Sequence, residues 1–116
     1  QIGAALEDVQ TFRKYLGGCA GNIAVGTARL GLRTSMFSCV GTDAMGQFLK
    51  AELQRENVDV SLLKESAHHL TGLVLLGIDP PDRFPLIFYR QNCADMQLKA
   101  TDITPAALTH AKVLLV

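Results

Sequence analysis

The sequence has no tryptophan, and its aromatic residues are limited to five phenylalanines and two tyrosines. So few aromatic side chains argue against a surface that stacks nucleic-acid bases. Eleven basic residues balance eleven acidic ones, so there is no net charge to attract nucleic acid or an anionic membrane. No apolar run approaches the ~20 residues that a membrane-spanning helix needs, and no signal peptide is evident. Nucleic acid and membranes are therefore not expected partners.

Cysteine and histidine are equally sparse. The three cysteines are odd in number and far apart, at Cys19, Cys39 and Cys93. This pattern fits free thiols in a reducing cytosol better than a disulfide framework or a zinc site, and it predicts a cytoplasmic protein. The three histidines also lack the spacing of a metal-binding group, so no metal site is predicted.

The 116 residues suffice for one domain with a modest core. The chain begins at Gln1 and closes on the apolar run 113–116, which reads as a buried strand with no turn or polar tail after it. We therefore expect the sequence to be a piece of a longer protein.

A glycine-rich stretch between residues 17 and 41 is the most specific feature of the chain. Gly17 and Gly18 precede a run of small residues, and Asn22 stands where a helix would begin. Glycine allows positive φ and close approach of a ligand, and the start of a helix presents unpaired N–H groups. The spacing lacks both the G-x-G-x-x-G dinucleotide fingerprint and the Lys-Ser/Thr ending of a P-loop. A polar ligand other than a nucleotide phosphate is thus favoured, with Asn22 as a contact or as a turn or cap residue.

Helix and strand signals alternate after the glycine pair. The pattern predicts a helix over 20–30 stopped by Gly31, a buried strand over 34–40, and an amphipathic helix over 44–56 with Asp43 as N-cap. A short strand is expected within 60–65. Such alternation is typical of a doubly wound α/β sheet. The preceding segment 8–16 fits either a helix or a strand by periodicity.

Two apolar runs, 71–78 and 85–90, flank a turn rich in proline and aspartate. This pattern predicts an antiparallel hairpin, which belongs in a second, smaller layer rather than in a parallel sheet. Further on, Thr104 and Pro105 are the expected cap and first residue of a short helix that runs to residue 111.

Arg90 ends the second apolar run, where a guanidinium is costly to bury without an anion. Its planar fork matches a carboxylate, and hydrogen bonds to charged groups are worth roughly 1.5–3 kcal/mol. Arg90 is therefore a candidate reader of a substrate carboxylate. The alternative is a surface arginine at the end of the hairpin.

The spacing from Gly17 through Asn22 and Gly31 to Gly41 resembles the N-terminal signature of the ribokinase-like (PfkB) carbohydrate kinases at every fixed position. The resemblance implies a partial doubly wound sheet with a small β lid, formed in part by the hairpin. Lid segments would occupy about 1–16 and 71–91. Segments 8–18 and 71–96 further resemble family members that phosphorylate sugar acids.

By this resemblance, Gly17 and Gly18 would let the backbone approach sugar hydroxyls, Asn22 would hydrogen-bond one of them, and Arg90 would take the carboxylate. Possible lining residues are Tyr89, Asn92 and Asp95. Tyr89 fits the core or the lid interface better than a ligand contact, and the other two fit a loop cap equally well.

No catalytic residue is expected among residues 1–116. The resemblance implies that the catalytic base and the sites for ATP and Mg²⁺ follow residue 116, so this segment alone would be inactive. It also implies a homodimer through lid strands. The alternatives are a 2-keto-3-deoxygluconate or fructose-type sugar kinase, or a non-catalytic sugar-binding protein of the same fold.

Overall fold

Helices and strands alternate along the first half of the chain in the computed structural model, which describes residues 2–116. The elements are α1 (Cys19–Arg29), β1 (Ser38–Gly41), α2 (Ala44–Arg55) and β2 (Leu63–Ser66). Gly31 follows α1 with φ +86° and Asn57 follows α2 with φ 59°, so both helices stop where the sequence predicts. Among residues 2–116, no helix has the length and apolar character needed to cross a bilayer.

The strands β1 and β2 pair in parallel, with Ser38 opposite Leu63 and Gly41 opposite Ser66. A single bridge between Ser35 and Asp59 extends the pairing backwards, so only the second half of the predicted strand 34–40 is regular. Parallel strands joined by a helix confirm the predicted partial doubly wound sheet.

The start of α2 is fixed by the side chain of Asp43. Its Oδ1 accepts hydrogen bonds from the backbone N–H groups of Met45 at 2.9 Å and Gly46 at 3.0 Å, as predicted for an N-cap. A cap of this kind contributes about 1 kcal/mol. The carboxyl end of β1 and the amino end of α2 are therefore held together at residues 41–46.

A small apolar core lies between the helices and the parallel strands. It is formed by five buried side chains: Ala24, Val40, Leu53, Val58 and Leu63. Leu16 packs on its edge and lies close to α1, where a Cβ on Gly21 would lie 2.9 Å from Leu16 Cδ2.

The predicted hairpin forms a separate antiparallel sheet, which confirms the second layer. Strands β3 (Leu73–Leu76) and β4 (Leu86–Tyr89) pair with Leu73 opposite Tyr89. We call residues 73–89 the lid hairpin. At its turn, Asp79 and Arg83 exchange backbone hydrogen bonds at 2.9 and 3.1 Å.

The segment before the glycine pair is neither of the two predicted alternatives. It contains one 3₁₀ turn, Leu6–Asp8, and no helix or strand over residues 9–17. Its first part lies along the lid hairpin, because Ile2 bridges in parallel to Ile78 and Gly3 N donates to the Ile78 carbonyl at 2.7 Å.

After the lid hairpin come 3₁₀ turns at Ala94–Gln97 and Ala100–Asp102 and the short helix α3 (Pro105–Leu108), which ends earlier than predicted. Thr104 caps α3 as expected. The prediction of a buried strand at 113–116 is wrong for this structure: these residues form no strand, and Val113 is 83% exposed. No strand within residues 2–116 lies beside them to pair with their backbone.

Candidate functional site

The glycine pair forms an open approach to the start of α1. Gly18 occupies the N-cap position with φ 79° and ψ 152°, a conformation that favours glycine, and no side chain caps the helix there. A Cβ added to Gly17 or Gly18 would meet nothing within 4 Å. The first N–H groups of α1 lack intrahelical partners, so they are available to a polar ligand that approaches the exposed backbone.

Asn22 lies in the first turn of α1, where its backbone N–H donates to the Gly18 carbonyl at 3.0 Å. Because Gly18 is the N-cap, the capping alternative for Asn22 does not apply. Its side chain is exposed and makes no hydrogen bond with any described residue. The amide is thus free to bind a hydroxyl.

Asn22 lines a cleft of about 270 Å³ between α1, α2 and the segment before the glycines. The other lining residues are Tyr15, Leu16, Val25, Arg29, Glu52 and Glu56. Arg29 donates to both carboxylate oxygens of Glu56, at 2.7 and 2.5 Å. This hydrogen-bonded partner holds the pKa of Glu56 below its ordinary value, so the lining of the cleft includes a satisfied ion pair.

Arg90 immediately follows β4, and its anion comes from within the chain. Its Nη2 donates to Oδ2 of Asp95, and the arginine side chain remains 49% exposed. The other N–H groups of the guanidinium have no hydrogen-bond partner among residues 2–116. An arginine has five N–H donors, so this pairing leaves room for a second, incoming carboxylate.

Asp95 and Gly72 both lie against the side chain of Arg90. An ideal Cβ on Gly72 would lie 3.3 Å from Arg90 Cγ and 3.5 Å from both Arg90 Nε and Asp95 Oδ1. Oδ1 of Asp95 is buried and has no hydrogen-bond partner in the described part of the chain. The Nε edge of the guanidinium therefore faces the backbone at Gly72.

The remaining lining candidates have distinct surroundings. Tyr89 is exposed on β4. Asn92 adopts φ 53°, and its Oδ1 accepts a hydrogen bond from Gln97 Nε2 at 3.1 Å, which is the geometry of a turn residue. Cys93 is buried, with Sγ 3.5 Å from the Tyr89 carbonyl oxygen. These residues shape the loop that carries Asp95.

The two halves of the predicted site share no direct polar contact among the described residues. No hydrogen bond or ion pair within residues 2–116 joins Arg90 or Asp95 to Gly17, Gly18 or Asn22. A second cavity, of about 460 Å³, lies at the far end of the lid hairpin and is lined by Ala5, Leu6, Glu7, Asp79, Arg83, Phe84 and Pro85. Over the same residues, no three His, Cys, Asp or Glu side chains are grouped to hold a metal ion.

Thr71, which hydrogen-bonds the second oxygen of Asp43, is a site residue that the sequence does not reveal. The sequence predicts Asp43 only as a helix cap, and a Thr-Gly pair ahead of a strand specifies no partner by itself. The contact joins residues 28 positions apart, so only the folded chain reveals it.

Comparison with known proteins places this geometry in context. The profile of the pfkB family carbohydrate kinases matches residues 3–116. The chain is 36% identical over its whole length to a 5-dehydro-2-deoxygluconokinase of Geobacillus kaustophilus, and it spans 35% of that protein.

Two solved structures superpose on nearly the whole chain. A PfkB protein of Polaromonas sp. JS666 is 34% identical with a TM-score of 0.87, over 92% of this chain and 36% of that one. An uncharacterized sugar kinase of Pyrococcus horikoshii, solved in complex with ATP, is 33% identical with a TM-score of 0.85, over 94% of this chain and 35% of its own. The chain thus spans about a third of the length of each protein.

Proposed function

This chain belongs to the pfkB family of carbohydrate kinases, and from that premise we propose that the full protein transfers a phosphoryl group from ATP to a sugar acid. The proposed substrate is 5-dehydro-2-deoxy-D-gluconate, converted to its 6-phosphate in myo-inositol catabolism in the cytoplasm. The name of the Geobacillus relative supports this substrate. The ATP-bound sugar kinase supports the choice of phosphoryl donor.

The exposure and hydrogen bonding of Arg90 are the single observation that supports an acidic substrate. Its side chain is 49% exposed, and among residues 2–116 only Nη2 of its guanidinium has a hydrogen-bond partner. Both N–H groups of Nη1 and the second N–H of Nη2 are unpaired in that part of the chain, so a carboxylate could accept hydrogen bonds from both nitrogens. Asp95 keeps the guanidinium oriented while a substrate carboxylate binds.

Substrate positioning is the contribution that we assign to residues 1–116. The open backbone of Gly17 and Gly18 and the free amide of Asn22 would bind sugar hydroxyls, while Arg90 would bind the carboxylate on the lid side. Phosphoryl transfer depends on such positioning together with charge stabilisation. We assign the catalytic base, ATP and Mg²⁺ to residues outside this segment, and expect the segment alone to be inactive.

A second copy of the chain is the partner that we propose for the lid hairpin. Both faces of the hairpin expose large apolar side chains, among them Leu73, Leu76, Leu86, Ile87, Phe88 and Tyr89. An apolar surface of this kind is typical of an interaction site. Pairing of lid strands between two copies would bury it.

The test is Arg90→Ala in the full-length protein, assayed by ADP release with sugar acids and neutral sugars. Losing a hydrogen-bonded charge should lower kcat/KM for the sugar acid about 10- to 100-fold. The neutral-sugar value should change less than about threefold, since that substrate presents no carboxylate.

Arg83→Ala is the matched control, because Arg83 is another exposed hairpin arginine paired with an aspartate, Asp79 at 2.5 Å. It should leave both substrate classes unaffected. Equal losses for both classes in the Arg90 variant would contradict the carboxylate assignment. The same substrate panel distinguishes the proposed activity from that of a 2-keto-3-deoxygluconate or fructose kinase. Sugar binding without ADP release would indicate a non-catalytic sugar-binding protein.

A further inference from the structure

The carboxylate of Asp43 joins the core to the root of the lid hairpin. Its Oδ1 caps α2, while its Oδ2 accepts hydrogen bonds from Thr71 N at 2.8 Å and Thr71 Oγ1 at 3.0 Å. Thr71 Oγ1 in turn accepts from the backbone N–H of Gly41 at 2.9 Å. We call this set of hydrogen bonds the Asp43–Thr71 clasp.

The backbone on either side of the clasp, at Gly41 and Gly46, is too closely packed to accept a side chain. A Cβ on Gly41 would lie 2.1 Å from Asp43 Oδ2 and 2.7 Å from the His69 carbonyl oxygen. A Cβ on Gly46 would lie 1.9 Å from the Gly41 carbonyl oxygen and 2.9 Å from Thr71 Oγ1. All four distances are shorter than real Cβ contacts, so the end of β1, the start of α2 and Thr71 meet in direct contact.

The charge of Asp43 strengthens the contact. Burial acts to raise the pKa of its carboxyl, but the hydrogen bonds from Thr71, Gly46 and Met45 prevail and hold that pKa below its ordinary value. Hydrogen bonds to an ionised carboxylate are stronger than neutral ones. Thr71 is therefore held by a charged acceptor.

The clasp reaches Arg90 through one residue. Gly72, next to Thr71, lies against the Arg90 side chain, with 3.3 Å between its ideal Cβ and Arg90 Cγ. On the other side, Ala94 N donates to the Leu70 carbonyl at 2.9 Å, and Ala94 is completely buried. Residues 70–72 thus support Arg90 both directly and through the loop that follows it.

We propose that Thr71 is a positioning residue for Arg90: the Asp43–Thr71 clasp sets where the carboxylate-binding guanidinium stands relative to the core. This inference rests on the proposed function of Arg90. A guanidinium that recognises a substrate must be held within about 0.5 Å of its productive position. The clasp is anchored on the end of β1 and the start of α2, and these elements provide such rigidity.

Thr71→Val in the full-length protein tests the proposal, because it keeps the shape and removes the hydroxyl that links Asp43 to Gly41. The KM for the sugar acid should rise about tenfold, while the KM values for ATP and a neutral sugar change less than about threefold. Thr71→Ser, which restores the hydroxyl, should recover the sugar-acid KM. An unchanged sugar-acid KM, or equal rises for both sugar classes, would overturn the proposal.

Thr104→Val is the matched control, since Thr104 also uses its hydroxyl locally, as the cap of α3. It should lower stability without a selective change in the sugar-acid KM. If Thr71→Val does not fold, Gly72→Ala replaces it: its Cβ would lie 3.3 Å from Arg90 Cγ and would displace that side chain without removing a hydrogen-bonding group of the clasp. The sugar-acid KM should again rise selectively, and no change would count against the proposal.

Amide hydrogen exchange gives a readout that does not depend on the substrate. Thr71→Val should speed exchange in β3 and β4 and leave α1 unchanged, because only the hairpin root loses its anchor. If the unmodified protein phosphorylates no sugar acid, the proposed function is wrong. The exchange rates then still test whether the clasp holds the lid hairpin. Unchanged exchange in the hairpin would show that the clasp does not hold it.

Discussion

The parallel unit of β1, α2 and β2 and the lid hairpin both contain large apolar side chains, but they place them differently. In the parallel unit, Leu53 is 3% exposed and packs in a shared core. In the hairpin, Phe88 is 61% exposed, and its neighbours on both faces are exposed as well. An apolar strand is thus no evidence of burial within its own chain. We therefore expect a partner surface to stabilise the hairpin more than it stabilises the parallel unit.

The sharpest test of this contrast is a pair of truncations in the full-length protein. Leu53→Ala should lower the free energy of unfolding by about 2–5 kcal/mol, because it removes a buried side chain and leaves a cavity. Phe88→Ala should have an effect below about 1 kcal/mol at a protein concentration where the protein is monomeric. Chemical denaturation at several protein concentrations measures both. If Phe88→Ala costs as much as Leu53→Ala in the monomer, the contrast is wrong.

A larger effect of Phe88→Ala at high concentration only, with a parallel loss of dimer in sedimentation, would support the proposed hairpin partner. The same loss at every concentration would instead indicate that the hairpin is covered by the rest of the full-length protein.

Two helical glycines sharpen the contrast between a packed junction and a free surface. Gly46→Ala should destabilise by about 3 kcal/mol, near the upper end for overpacking, because its Cβ would lie 1.9 Å from the Gly41 carbonyl oxygen. Gly26→Ala meets nothing within 4 Å and should stabilise α1 by up to about 1 kcal/mol. Thermal and denaturant unfolding measure both. Equal effects would show that the junction at residues 41–46 can relax.

The smallest expected effect is a pH dependence from Asp43, where core and lid meet. Its pKa is lowered in the folded protein from an ordinary value of 3.8, so the unfolded state binds the proton more readily. The stabilisation is therefore present above about that value and is lost as the pH falls through the folded pKa. The stability difference between the natural protein and Asp43→Asn, which can still cap α2, should shrink below pH ~4. A constant difference would contradict this assignment.

Most of the fold could be predicted because its signals are local. Gly31 ends α1, and Asp43 and Asn57 flank α2, so the residues that bound both long helices can be recognised in the sequence. The hairpin likewise has a turn rich in proline and aspartate. Residues 9–17 are harder to predict because their periodicity fits a helix and a strand equally, and residues 113–116 because an apolar run forms a strand only where a neighbouring strand is present. For the site, the sequence predicts candidate residues rather than geometry: it offers Arg90 and Asn22, while the cleft beside Asn22 and the pairing of Arg90 with Asp95 appear only in the structure.

The glycine spacing, the helix ends and the hairpin were determined by the sequence alone, because each depends on residues a few positions apart. Only the tertiary structure decided how Asp43 divides its two oxygens between α2 and Thr71, and how Gly72 and Asp95 hold Arg90. Those contacts join residues brought together by the packing of β1, α2 and the hairpin root. A carboxylate has more acceptor positions than its local backbone can fill, and the fold determines which distant donor takes the rest.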